Sequence, residues 1–144
     1  MMKNKITLGE TQVDADLKFF ILEDTPVYQK RIIACLRALG FTGKPVFAPS
    51  IKDAKSMIRD NTPDIFFCDW NLPDGFGIDF LRELRRTERF KNTPVVMVTT
   101  MDDPSNILEA INDGADGYVV KPYETTDLED KIAFAVEKRS TIRL

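Results

Sequence analysis

The stretch Ile65-Phe66-Phe67-Cys68-Asp69 is a short apolar run that ends in a carboxylate. Other runs in the chain have the same form, because each is rich in β-branched or aromatic residues and is followed by a polar side chain. These are Phe19-Phe20-Ile21-Leu22 before Glu23 and Asp24, Val95-Val96-Met97-Val98 before Thr99, and Tyr118-Val119-Val120 before Lys121. Runs of this kind are typical of strands that are buried on both faces, as in a parallel sheet.

The segments between these runs carry helix signals. Thr25-Pro26 opens a helix that ends at Gly40, and Ser50 with Asp53 caps a second helix that ends near residue 60. The remaining predicted helices cover residues 78–87, 104–112 and 126–138, the last with a capping box of Thr126 and Glu129. With a weaker strand at Val46-Phe47-Ala48, the pattern predicts an α/β fold of five parallel strands flanked by five helices.

The composition bounds the class of protein. The chain has 144 residues, the length of one domain, and its 43% hydrophobic and 30% charged residues are ordinary for a globular protein. A net charge of −3 argues against direct binding of nucleic acid. No apolar run has the length of a membrane span or a signal peptide, so we expect a cytoplasmic protein that does not bind membranes. Residues 1–16 are predicted to be a polar, mobile extension of a domain at 17–144.

The chain contains no histidine and two cysteines, Cys35 and Cys68. The lack of histidine excludes Ser-His-Asp and Cys-His catalysis as well as His-based zinc sites. If phosphate passes through a histidine, that histidine must belong to a partner. Both cysteines are interpreted as reduced, buried thiols.

The polar residues that follow the strands are expected to meet at one site. Ligands of an open parallel sheet bind beyond the carboxyl ends of its strands, where the strand order reverses. If the order is 2-1-3-4-5, the site contains three carboxylates, a hydroxyl and an amine, from Glu23, Asp24, Asp69, Thr99 and Lys121. The second strand then lies on the outer edge, and it ends in Ala48-Pro49-Ser50 without a charge.

This set of side chains favours phosphoryl chemistry. Three neighbouring carboxylates repel one another, and Mg²⁺, which prefers oxygen ligands, relieves that repulsion. A carboxylate can also act as a nucleophile and become an aspartyl phosphate, while a metal ion, a lysine and a hydroxyl stabilise the transferring group. Any one of these residues could be an ordinary surface side chain, so the prediction depends on all five together.

The motifs resemble the receiver domain of two-component response regulators, in its stand-alone chemotaxis-type form, over about residues 17–140. The residues that carry the resemblance are Leu22-Glu23-Asp24, residues 68–77 around Asp69, Met97-Val98-Thr99-Thr100 and residues 117–122. The resemblance implies a flavodoxin-like, doubly wound fold with the strand order 2-1-3-4-5. That order is a property of the family and not a separate deduction from the sequence.

The resemblance also implies roles for single residues. Asp69 would be the phosphoacceptor, and Lys121 would pair first with its carboxylate and then with the phosphoryl oxygens. Mg²⁺ would be held by Asp24, Asp69 and the main-chain carbonyl of Asn71, with support from Glu23, which stands where the family often has Asp. The Lys121-Pro122 bond would be cis.

The implied switch consists of Thr99, which would bond the phosphoryl group, and Tyr118, which would then turn inward. The surface of the fourth helix, fifth strand and fifth helix would bind a downstream protein, with Tyr118 and Phe134 as contacts. Phe134 falls opposite the apolar face of the last helix, so we expect it to be exposed; an isolated exposed aromatic is also common.

The implied function is phosphorelay signalling, in which a sensor histidine kinase or a histidine phosphotransfer protein phosphorylates Asp69. The protein would be a phosphoacceptor switch and not an enzyme. One alternative is a phosphorylation-independent interaction module, although such modules are expected to lose the Asp, Thr or Lys of the site. Another is an aspartyl-nucleophile phosphatase, which needs a second acid where Asn71 stands. The sequence leaves open a monomer or a dimer that forms on activation.

Overall fold

The computed structural model describes the backbone of residues 4–143 and the side chains of residues 4–139. The first half of the chain contains β1 (Lys5–Leu8), β2 (Thr11–Asp14), β3 (Phe19–Leu22), α1 (Pro26–Leu39), β4 (Val46–Ala48), α2 (Ile51–Met57) and β5 (Ile65–Cys68). The second half contains β6 (Asn71–Leu72), β7 (Gly75–Phe76), α3 (Gly77–Arg86), β8 (Val95–Thr99), α4 (Pro104–Asn112), β9 (Gly117–Val120) and α5 (Thr125–Arg143).

Five of the strands form one parallel sheet in the order β4-β3-β5-β8-β9, which confirms the predicted order 2-1-3-4-5. Side chains alternate between the faces of the sheet, as the pleat requires. Phe19 and Ile21 pack in a cluster with residues of α1 and α5, while Phe20 and Leu22 pack in a second cluster with residues of α2, α3 and α4. The sheet is therefore covered on both faces.

The register of the sheet brings the predicted site residues to one edge. Leu22 is paired with Cys68, so the residues that follow them, Glu23 and Asp69, leave neighbouring strands side by side. Thr99 is paired with Val120 in the same way, and Lys121 follows. The uncharged end of β4 lies on the outer edge of the sheet, as expected.

Two of the predicted helix boundaries are confirmed. Gly40, with φ of 101°, ends α1, and the Ser50 hydroxyl accepts the Asp53 N–H at 3.0 Å to cap α2. The capping box at Thr126 and Glu129 is wrong. The carboxylate of Asp127 instead accepts the N–H of Glu124 at 2.9 Å, so α5 begins at Thr125, and it continues to Arg143.

The prediction that residues 1–16 form a polar, mobile extension is wrong for the part that the structure describes. Residues 5–14 form the antiparallel hairpin β1-β2, in which Ile6 is paired with Val13. Leu8 and Val13 are 1% and 4% exposed and belong to the core cluster of α1 and α5. A hairpin of two four-residue strands is too small to bury its own apolar side chains. Packing against α1 and α5, which are distant in the sequence, covers its apolar face. Residues 1–3 and 144, which the predicted domain boundaries include, lie outside the described residues.

A second hairpin, β6-β7, follows Asp69 and was not predicted. Its Asp74 carboxylate accepts the main-chain N–H groups of Ile51 and Lys52, each at 2.9 Å. These bonds lower the pKa of Asp74 below its usual range. The loop after Asp69 is thereby tied to the start of α2. Over the described part of the chain, no helix combines the length and the apolar character needed to cross a membrane.

Candidate functional site

Glu23, Asp24 and Asp69 meet beyond the carboxyl ends of β3 and β5. One carboxylate oxygen from each lies within 4.8 Å of the other two. Glu23 is 1% exposed and Asp69 is 9% exposed, whereas Asp24 is open to solvent. The structure therefore brings together the three acids that the sequence predicted, with one of them on the solvent side.

The ammonium of Lys121 lies between two of these carboxylates. Its Nζ donates to Glu23 Oε1 and to Asp69 Oδ2, the latter at 3.0 Å, and the lysine side chain is only 2% exposed. Burial raises the pKa of the Glu23 carboxyl above its usual range, and the hydrogen bond from Lys121 opposes this effect. A buried lysine of this kind needs an anionic partner, since a lone buried charge is strongly unfavourable.

The carboxylate of Asp69 is held at both oxygens. Oδ1 accepts the N–H of Trp70 at 2.7 Å, and Oδ2 accepts the ammonium of Lys121. The main chain of Asp69 is fixed to β3 by a 3.0 Å bond from its N–H to the carbonyl of Leu22. Because each carboxylate oxygen has about two acceptor sites, both oxygens keep capacity for a further ligand.

The donor set fits a hard divalent cation. Three carboxylates face one ammonium, which leaves a formal excess of two negative charges among oxygen ligands. This is the ligand chemistry that Mg²⁺ prefers. Asn71, the fourth predicted ligand residue, is the exposed first residue of β6, two positions after Asp69. Its carbonyl as a metal ligand stays a prediction.

Thr99 and Tyr118, the predicted switch residues, both form hydrogen bonds with the main chain of Met101. Thr99 is fully buried, and its Oγ1 accepts the N–H of Met101 at 3.3 Å. The half-buried Tyr118 donates its hydroxyl proton to the carbonyl of Met101 at 2.7 Å. Burial, together with the negative charges of Asp69 and Asp102, raises the pKa of Tyr118 to about 12.

Other predicted features lie near this site. The Lys121-Pro122 peptide bond is cis, and the Lys121 N–H donates to the carbonyl of Thr99 at 2.8 Å. Cys35 and Cys68 are buried free thiols, as predicted. Burial raises the pKa of Cys68, which makes it a poor nucleophile despite its place beside Asp69.

Phe134 lies on α5 and is not part of the acidic cluster, and it is 60% exposed. This confirms the predicted exposure, while its role as a contact stays a prediction. On α4, Leu108 and Ile111 are also exposed, at 61% and 44%. The described residues thus present apolar side chains on both helices of the predicted partner surface.

The sequence reasoning missed one residue of the site. Tyr28, in the first turn of α1, places its ring against Lys121, with 3.9 Å from Nζ to the ring centroid. The signal that could have found it is its position, since it follows Asp24 by four residues on a helix that starts at the site.

Residues 19–133 match the family model described as the response regulator receiver domain. The protein belongs to this receiver-domain family. Two curated relatives are chemotaxis proteins: CheY of Pseudomonas aeruginosa is 38% identical over 122 residues, or 85% of this chain and 98% of CheY. CheY-3 of Vibrio cholerae is 31% identical over 123 residues, or 85% of this chain and 94% of CheY-3.

Solved structures show the same receiver fold. A CheY-like receiver domain protein from Methanospirillum hungatei JF-1 has a TM-score of 0.76 at 21% identity, covering 88% of this chain and 98% of its own. The receiver domain of a sensor histidine kinase from Pseudomonas aeruginosa PAO1 has a TM-score of 0.73 at 23% identity, covering 85% and 98%. That domain is described with a magnesium ion coordinated in its active-site cleft.

Membership of the receiver family connects the protein with two-component signalling, in which receivers act as switches and not as conventional enzymes. The matched region begins at residue 19, so the hairpin β1-β2 precedes the family pattern.

Proposed function

We propose that this protein is a phosphorylation switch of a two-component phosphorelay. Asp69 accepts a phosphoryl group from a phosphohistidine of a sensor kinase or a histidine phosphotransfer protein. The observation that carries the proposal is the contact of the Lys121 ammonium with Asp69 inside a cluster of three carboxylates. Mg²⁺ would be held by Glu23, Asp24, Asp69 and the carbonyl of Asn71.

In the transfer, an oxygen of Asp69 forms a bond to phosphorus and the P–N bond of the donor histidine breaks. The electron pair of that bond stays on the imidazole nitrogen, which leaves with the partner. A bound Mg²⁺ would neutralise charge on the phosphoryl oxygens. The Trp70 N–H holds Asp69 Oδ1 and orients the carboxylate, while Lys121 lies beside Oδ2, where its charge can follow the new phosphoryl oxygens.

The conformational response to phosphorylation would begin at Met101. The Thr99 hydroxyl accepts the Met101 N–H at 3.3 Å, and to donate its own proton to a phosphoryl oxygen it would move toward that oxygen and away from Met101. Because Tyr118 is bonded to the carbonyl of the same residue, a change at Met101 reaches the tyrosine directly. The altered position of Tyr118 then biases the surface of α4, β9 and α5 toward a state that binds a downstream protein.

These roles require protein partners on both sides of the signal. The phosphoryl donor and the downstream target are proteins, and the chain acts in the cytoplasm without direct contact with nucleic acid or membrane. It works as a monomer, or as a dimer that forms on activation.

The decisive experiment is intact-mass spectrometry after incubation with acetyl phosphate and Mg²⁺. We expect a single phosphoryl adduct that disappears in Asp69→Asn and in the presence of EDTA. If the folded protein forms no adduct and binds no beryllofluoride, the proposal fails in favour of a phosphorylation-independent module. Sustained turnover of a small phosphomonoester would instead indicate a phosphatase.

The proposed output surface is tested at Phe134. Phe134→Ala should weaken binding of the beryllofluoride-loaded protein to its downstream target and leave the phosphoryl adduct unchanged, since the side chain lies outside the acidic cluster. Val27→Ala is a matched control, because Val27 is similarly exposed, at 64% against 60%, but lies on α1. Equal binding by Phe134→Ala and the wild-type protein would remove Phe134 from the surface.

A further inference from the structure

The Lys121 ammonium has an uncharged neighbour besides its two carboxylates. The Tyr28 ring lies with its centroid 3.9 Å from Nζ, well inside the distance of about 6 Å at which a cation is attracted by an aromatic face. An ammonium has three N–H donors. Glu23 and Asp69 each accept one of them, and the aromatic face of Tyr28 stands in for a third acceptor.

The two anionic partners of Lys121 are also members of the acidic cluster. Glu23 and Asp69 each place a carboxylate oxygen in the group that spans 4.8 Å. A divalent cation held there draws on the same two carboxylates and repels the ammonium, so it weakens the attraction that holds Lys121. The Tyr28 ring is not one of the three carboxylates of that group. Its attraction for the ammonium therefore persists when the carboxylates are engaged.

Hydrogen bonds of the first turn of α1 hold the Tyr28 ring near the end of β3. Pro26 begins α1, and the N–H of Tyr28 donates to the carbonyl of Thr25 at 3.1 Å. The Gln29 amide donates to the carbonyl of Glu23 at 2.8 Å, which fixes the first turn of α1 to the end of β3. With the Lys121 side chain 2% exposed, the contact lies largely out of water, where cation–π attraction is strongest.

We propose that Tyr28 is a positioning residue for phosphoryl transfer, whose ring face holds the Lys121 ammonium beside Asp69 while the carboxylates bind the metal ion and the incoming phosphoryl group. The inference rests on the function proposed above. It predicts that the aromatic face is required and that the phenol hydroxyl is not. Tyr28→Phe keeps the face, and Tyr28→Leu removes it at similar apolar bulk.

The contact itself is measured without metal or phosphoryl donor. In NMR spectra of the wild-type protein, the ε-methylene protons of Lys121 should be shifted upfield by the ring current of Tyr28, with the resonance assigned by its loss in Lys121→Arg. Tyr28→Phe should retain the shift and Tyr28→Leu should abolish it. An unshifted resonance in the wild-type protein would overturn the proposal at its first step.

The kinetic test compares phosphorylation by acetyl phosphate at saturating Mg²⁺. Tyr28→Leu should lower the maximal rate by about tenfold, a loss between those expected for an exposed and for a fully desolvated cation–π contact, with little change in the half-saturating acetyl phosphate concentration. Tyr28→Phe should stay within about twofold of wild type. A wild-type rate in Tyr28→Leu, or an equal loss in Tyr28→Phe, would contradict the proposal.

Two controls keep the outcomes separate. Melting temperatures establish that the variants are folded, and Tyr28→Met, another apolar residue without a ring face, repeats the test if Tyr28→Leu is unstable. If wild type forms no adduct, the proposed function fails, whereas an adduct in wild type with no effect of Tyr28→Leu or Tyr28→Met refutes only the role of Tyr28.

Discussion

The main-chain carbonyl oxygen of Asp69 occupies the space that a side chain on Gly77 would need. A Cβ added to Gly77 would lie 1.8 Å from that oxygen and 2.8 Å from the sulfur of Cys68. The N–H of Gly77 also donates to the carbonyl of Trp70 at 2.7 Å. The start of α3 can therefore pack against the end of β5 only because residue 77 has no side chain.

Gly77→Ala should displace the main chain at Asp69. Overpacking of this kind costs about 1–3 kcal/mol of unfolding free energy. A displacement of about 1 Å at a reacting group can cost roughly 100-fold in rate. We expect both effects, measured by urea denaturation and by the rate of adduct formation with acetyl phosphate.

Gly117→Ala provides the control for this prediction. A Cβ on Gly117 would meet its nearest atom, in Lys131, at 3.4 Å, which is an ordinary contact. This variant should keep its rate. If Gly77→Ala and Gly117→Ala are phosphorylated equally fast, the close approach of Gly77 does not control the position of Asp69.

Thr99→Val should separate phosphorylation from the switch. The substitution keeps the buried volume but removes the acceptor of the Met101 N–H, at a cost of about 1 kcal/mol. We expect beryllofluoride to bind still, while the NMR signals of Tyr118 no longer respond to it. Thr99→Ser retains the hydroxyl and should restore the response. A full response in Thr99→Val would exclude the proposed route through Met101.

Leu8→Ala should destabilise the whole domain although Leu8 precedes the family pattern. Leu8 is 1% exposed in the core cluster, and removal of a buried leucine side chain costs about 2–5 kcal/mol. Thr7→Ala, at an exposed position on the same strand, should change stability by less than about 0.5 kcal/mol. Urea denaturation distinguishes the two, and equal midpoints would mean that the hairpin adds nothing to the core.

Asp116 is the centre of a polar network at the amino-terminal edge of the sheet, opposite Asp69. Its side chain is fully buried and accepts bonds from Arg85 at 3.0 Å, Arg139 at 2.8 Å and the N–H of Val95 at 2.9 Å. Arg85 and Arg139 are themselves only 13% and 10% exposed. One carboxylate is therefore the shared counterion of two guanidinium groups that have little access to water.

Asp116→Asn should be strongly destabilising, because it leaves these guanidinium groups without their counterion. Breaking a buried pair typically costs about 3–5 kcal/mol. Glu109→Gln breaks an exposed ion pair with Arg82 and should cost at most about 1 kcal/mol. Both costs are measured as the loss in the free energy of unfolding, relative to wild type, in urea denaturation. A small loss in Asp116→Asn would show that water reaches the cluster.

The family resemblance and the strand pattern together predicted most of the site from the sequence. Glu23, Asp69, Thr99 and Lys121 could be named because each follows an apolar run, and parallel strands end at the same edge of a sheet. The family supplied the strand order that makes these ends neighbours. The structure brings the residues together as expected, while their separate chemical roles remain predictions.

The sequence by itself determined the five parallel strands, the cap of α2 at Ser50 and the polar residues at the strand ends, because these depend on periodicity and on neighbours along the chain. Only the tertiary structure decided that the first residues form a buried hairpin, that Tyr28 faces Lys121 and that Gly77 touches Asp69. Each of these depends on the distance between segments apart in the sequence. Such distances are set by packing of the whole core, which no local pattern records.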